Sequence, residues 1–70
     1  MSMSDNVYKL LELTGSSSVS IEDAVETAIS KASKSVHNMR WVEITNTRGY
    51  IDNNKLAAWQ VTMKIGFTLE

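Results

Sequence analysis

From Leu56 to Leu69 the chain alternates apolar and polar residues almost without a break. Successive side chains of a strand point to opposite faces, so this run specifies one long strand. Ala57, Trp59, Val61, Met63, Ile65, Phe67 and Leu69 fall on one face, and Ala58, Gln60, Thr62, Lys64 and Thr68 on the other. The apolar face has to be covered, and a helix packed along it is the expected cover.

The chain holds one strong helix signal. Ser20 is followed three positions later by Asp23, a capping-box-like start in which Asp stands where Glu is usual. Ile21, Ala24, Val25, Ala28, Ile29, Ala32 and Val36 then recur at the spacing of one helical face. Glu22, Asp23 and Glu26 crowd the first turns while Lys31, Lys34 and His37 lie toward the end, which complements the helix dipole. The small residues of the apolar stripe predict close packing against a sheet.

Val7 to Thr14 reads as a first strand ended by Gly15 and the serines. Leu10 and Leu11 point to opposite sides of it, so both faces are expected to be covered in part. Met39 to Arg48 reads as a second strand, and Asp52-Asn53-Asn54 as the turn into the third, because these residues tolerate a left-handed backbone. The order is strand, helix, strand, strand, an α+β class. If Val42 and Ile44 face the helix, Trp41 points away from it, beside Glu43 and Thr45. A large aromatic on the polar face of a sheet needs a partner subunit, a ligand or both. Gln60 lies on the matching face of the third strand and would stand near Trp41 if the hairpin register brings them together. An indole beside an amide suits a flat heterocycle with hydrogen-bonding edges.

Seventy residues make one domain, expected over residues 1–70 with 1–5 flexible. A chain this short buries only about 60% of its unfolded surface. It contains no Cys, so disulfides and thiolate metal sites are excluded, and no Asp/Glu run has the spacing of a calcium loop. Oligomerisation is therefore the expected source of extra stability. With 7 basic and 8 acidic residues there is no electrostatic footprint for nucleic acid. No apolar run approaches the roughly 20 residues of a membrane span. The polar start, Met1 to Asn6, does not read as a signal peptide, and a cytoplasmic location is the default expectation.

Catalysis finds little support. The single histidine, His37, has no evident partner and reads as a helix-end residue. Ser16-Ser17-Ser18 reads as a loop, since a phosphate cradle would need glycines or a following lysine. Trp59 is on the helix side and is expected to pack in the core. No catalytic or metal-binding residue is assigned, and the chain is expected not to be an enzyme.

Several runs together resemble the dodecin family. They are Val7-Tyr8-Lys9, Glu12-Leu13-Thr14-Gly15-Ser16-Ser17, Met39-Arg40-Trp41-Val42-Glu43-Ile44, Thr47-Arg48-Gly49, and Trp59-Gln60-Val61-Thr62-Met63-Lys64-Ile65-Gly66-Phe67, along with the helix that holds Ile21, Asp23 and Ala24. The resemblance implies a β-α-β-β protomer whose three-stranded antiparallel sheet wraps one helix, assembling into a hollow homododecamer that binds flavins in pairs. It implies that Trp41 stacks on the flavin, that Gln60 bonds the pyrimidine edge of the ring, and that Arg48 contacts the ribityl-phosphate end of FMN. Lys64 would face an internal channel. Riboflavin or FAD are the other flavins to consider, and coenzyme A is a further candidate partner.

Asn46 stands where the family often has Asp, which bears on contacts to the ribityl hydroxyls, and Asn53-Asn54 stand where glycines are common. The implied function is flavin storage or sequestration with quenched photochemistry. The alternative is a structural or partner-binding homo-oligomer in which Trp41 is buried only by neighbouring subunits; separately, Arg48 before Gly49 also reads as an ordinary solvated turn residue. A flavin enzyme is the third reading, disfavoured because indoles on both faces of a flavin would exclude a substrate.

Overall fold

A computed structural model describes residues 5–69, with β1 (Tyr8–Ser17), α1 (Ile21–Ala32), β2 (Met39–Asp52) and β3 (Lys55–Thr68) in chain order. The expected flexible N-terminus lies, apart from Asp5, outside the described residues.

The start of α1 shows how a short acid completes a cap. The Ser20 hydroxyl accepts from the Asp23 N–H at 3.0 Å, as a capping serine should. Asp lacks the methylene that lets Glu reach back to the cap's own N–H. Ser17 bridges the gap: its hydroxyl donates to Asp23 Oδ2 at 2.7 Å. The same hydroxyl oxygen accepts from the N–H groups of Val19 at 2.9 Å and Ser20 at 3.3 Å.

At the other end α1 stops at Ala32, one turn before the expected Val36. There Ser33 turns its hydroxyl onto the Ser30 carbonyl, competing with helical continuation, and Lys34 and Ser35 donate to carbonyls three residues back. Asn38, with φ 65°, then redirects the chain into β2.

β3 is central in the sheet order β1-β3-β2, and both pairings are antiparallel. β2 runs past the expected Arg48 to Asp52, and the hairpin closes on Asn53 and Asn54 with φ 56° and 61°. Two consecutive left-handed residues form the turn type whose twist matches that of paired strands.

Val61, Met63 and Ile65 of β3 and Ala24 of α1 are fully buried, with Leu13, Val25, Ile29, Ala32 and Met39 packed around them. Gly15 makes this contact possible. A Cβ there would lie 2.3 Å from the Ala24 carbonyl oxygen, so α1 rests directly on the backbone of β1.

The helix does not cover the whole apolar face of β3, contrary to expectation. Its 12 residues span about 18 Å, whereas the 14 residues of β3 span about 47 Å. Leu69 and Ala57 are exposed, and Trp59, expected in the core, is half-buried beyond it. The helix sits over β1 and β3, so Val42 and Ile44 share its side of the sheet yet remain 38% and 45% exposed. The radius of gyration is 14.3 Å, against about 11 Å for a compact chain of this length.

Candidate functional site

Two irregularities in β2 decide which side chains reach the face opposite α1. Met39 pairs with Phe67 and Trp41 with Gly66, so Arg40 is an extra residue. In a regular strand Trp41 would follow Met39 to the helix side; because Arg40 bulges out of the ladder, the indole turns outward while Met39 packs on the core. Thr45 is a second extra residue, lying between the pairs Ile44–Met63 and Asn46–Thr62. It changes the parity of the strand from Asn46 onward. Asn46 and Arg48 therefore join Trp41 on the outer face, opposite Thr62 and Gln60.

Trp41 lies over Gly66, where a Cβ would come within 2.2 Å of two indole atoms. Only a glycine leaves room for the ring to rest on the backbone. Tyr8 approaches edge-on, with ring centroids 5.8 Å apart and planes at 61°. The indole is thus held from beneath and from one side, and stays 40% exposed.

Arg48, Gln60 and Asn46 form a second group on the same face. Arg48 Nε donates to Gln60 Oε1 at 2.9 Å, and Arg48 Nη1 donates to Asn46 Oδ1 at 3.2 Å. A guanidinium only donates, so both amide oxygens turn toward it and both NH2 groups turn away. Both bonded partners are neutral, so the charge of Arg48 is left for something else to match. The reading of Arg48 as a turn residue is corrected here: it is exposed, but it sits within β2 and is hydrogen-bonded to two amides.

The expectation that Gln60 stands beside Trp41 is not met within one chain. The two-residue turn fixes a register in which Trp41 faces Gly66 and Gln60 faces Arg48. From Gly66 to Gln60 along β3 is about 20 Å. The structure therefore brings together Asn46, Arg48 and Gln60, and places Trp41 at the far end of the same face.

Lys64 lies between these groups with Glu43 and Glu12 as its neighbours on the flanking strands. His37 is exposed in the segment between α1 and β2. Among the described residues no three His, Cys, Asp or Glu side chains gather as a metal site would need. Tyr8 and Gly66, which hold Trp41, were not singled out by sequence reasoning. An aromatic at the start of one strand and a glycine near the end of another carry no signal until the register is known.

The family model described as Dodecin matches residues 7–70. The chain belongs to the dodecin family. The dodecin of Thermus thermophilus is 36% identical over 64 residues, covering 91% of this chain and 93% of that one. Among solved structures, the dodecin of Streptomyces coelicolor superposes with a TM-score of 0.90 at 38% identity, covering 97% of each chain. That of Streptomyces davaonensis gives 0.88 at 35% identity, covering 94% of this chain and 97% of the other. The fold recurs in calcium dodecin from Mycobacterium tuberculosis, with a TM-score of 0.81 at 23% identity and 91% coverage of both chains. Dodecins are small non-enzymatic binding proteins that generally bind flavins and form homo-oligomers. Among the described residues no helix is long and apolar enough to cross a membrane.

Proposed function

We propose that this dodecin stores and sequesters flavin in the cytoplasm, taking FMN or a related flavin between the Trp41 indoles of neighbouring subunits in a homododecamer. The observation that carries the reading is the half-exposed indole of Trp41, fixed on the Gly66 backbone and turned to the outer face. A held, electron-rich ring stacks on a flat heteroaromatic without first giving up conformational freedom.

The second group fits the rest of such a ligand. With its oxygen engaged by Arg48, Gln60 keeps its NH2 to donate to a ring carbonyl. Arg48 has further N–H groups for a phosphate, and Asn46 can bond hydroxyls without repelling that phosphate as a carboxylate would. Trp41 and Gln60 of one protomer stand too far apart to reach the same ring, which supports a site shared between subunits. When bound, the flavin supplies the light-absorbing ring, and Trp41 supplies the electron donor that quenches its excited state.

The test is a titration of FMN fluorescence with flavin-free protein, alongside particle mass, with excess coenzyme A as a competitor. Quenching that saturates near one flavin per subunit on a dodecamer-sized particle is expected. Unchanged fluorescence on an intact oligomer would overturn flavin storage in favour of a structural assembly.

A further inference from the structure

Leu10 and Leu11 lie on opposite sides of β1, and they have different fates. Leu11 pairs with the buried Ile65 on the helix side, whereas Leu10 pairs with Gly66 on the outer face and is 53% exposed. A single exposed leucine needs no explanation by itself. The neighbours of this one give it a role. Gly66 is also the strand partner of Trp41, so Leu10, Gly66 and Trp41 stand in one row across the three strands. The indole starts on β2 and lays its six-membered ring over Gly66, so its far edge points toward β1. There Tyr8 meets it edge-on, and Leu10, on the same face of β1, continues the apolar surface in line with the row. The next row along the strands is Glu12, Lys64 and Glu43, all charged. The apolar platform therefore extends across the sheet toward Leu10 and is bounded by charge along it.

We propose that Leu10 is a specificity-determining residue of the flavin site, covering the dimethylbenzene end of a ring stacked on Trp41. The proposal rests on flavin binding as read above. An isoalloxazine has three fused rings and an indole has two, so a flavin laid on Trp41 overhangs it. The two ends of the flavin differ. One is a benzene ring with two methyl groups, and the other is a pyrimidine ring with carbonyl and N–H groups. In the row of Trp41, the side toward β1 offers the methyls an apolar side chain. On the other side β2 is the edge of the sheet, which leaves the pyrimidine end open to hydrogen-bonding groups. The reversed ring would set its carbonyls against Leu10 without partners and its methyls in water, both unfavourable.

The experiment compares FMN with an FMN analogue that lacks the two benzene-ring methyls, by fluorescence quenching on the intact assembly with Trp41 in place. Two methyl groups set against an apolar side chain are worth about tenfold in affinity, so the unmodified chain should bind FMN about tenfold more tightly than the analogue. Leu10→Ser should remove that preference: FMN affinity falls about tenfold, while affinity for the analogue changes by less than about twofold. Leu10→Met keeps an apolar cover and should retain the preference. Equal affinity of the unmodified chain for the two flavins overturns the assignment, as does a preference that survives in Leu10→Ser. An equal loss for both flavins in that variant overturns it too, because Leu10 then supports the site without reading the methyls. Should the serine variant fail to fold, the two-flavin comparison on the unmodified chain decides alone. Quenching of neither flavin overturns flavin binding itself, and this assignment with it.

Discussion

Beneath α1, the middle of β3 buries Val61, Met63 and Ile65 completely; beyond it, the same strand carries Trp59 half-buried and Leu56 exposed. Apolar residues continue through both halves, although strict alternation gives way to the run Leu56-Ala57-Ala58-Trp59 in the second. What differs is the cover, and the length of a helix decides where the cover ends. Binary pattern therefore specifies a face but not its partner: one half of this face is covered by α1, and the other is not.

The comparison can be broken most severely at the glycines. Gly15→Val places side-chain atoms against the Ala24 carbonyl, a backbone group that cannot step aside. A loss of more than about 4 kcal/mol is expected, enough to abolish the cooperative urea transition. At Gly49, beyond the helix, an added Cβ meets the end of the Leu56 side chain, which can rotate. Gly49→Ala should cost about 1 kcal/mol or less by the same measurement, and an equal loss at both sites would refute the division into two halves. Next, Met63→Ala in the covered half should lower stability by about 3 kcal/mol, read from the midpoint of denaturation.

Trp41→Ala addresses the face opposite both halves. Stacking on an aromatic side chain is worth about 1–3 kcal/mol, so FMN affinity should fall roughly ten- to a hundredfold. The unfolding midpoint of the flavin-free assembly should move little; a large shift would assign Trp41 to structure instead of binding. A small effect is expected at Ser17. Removing its hydroxyl leaves Asp23 and the N–H groups of Val19 and Ser20 without their shared partner, a loss of about 1 kcal/mol seen as a lower Tm. Ser16→Ala, on the exposed side of the same strand, should leave the Tm unchanged.

The elements of the fold were legible because each obeys a local rule. Ser20 and the stripe from Ile21 announce the helix, the alternation announces β3, and Asn53-Asn54 announce a turn that requires two left-handed residues. The outward direction of Trp41 was also legible, from Val42 and Ile44 on the core side. The grouping of the site was not. It depends on Arg40 and Thr45 as extra residues, and nothing in the run Glu43-Ile44-Thr45-Asn46-Thr47 marks where parity changes, since four of the five are polar. The Arg48–Gln60 pair results from that change, as does the separation of Gln60 from Trp41. The shortfall of helix cover could be counted from the lengths of the two elements, but only once Ser33 is known to end the helix.

The extra residue at Thr45 has a further consequence for how such a chain can vary. Removing that one residue would take out the bulge and leave Asn46, Thr47 and Arg48 on their present faces, since Ile44 and Asn46 already occupy consecutive pairs on opposite sides of the sheet. Substitutions on this strand alter one contact at a time, whereas deleting a regularly paired residue such as Glu43 would turn over the strand on one side of the cut and exchange its two surfaces. The chain can therefore lose a residue at Thr45 without exchanging its two surfaces, but not at the paired positions beside it.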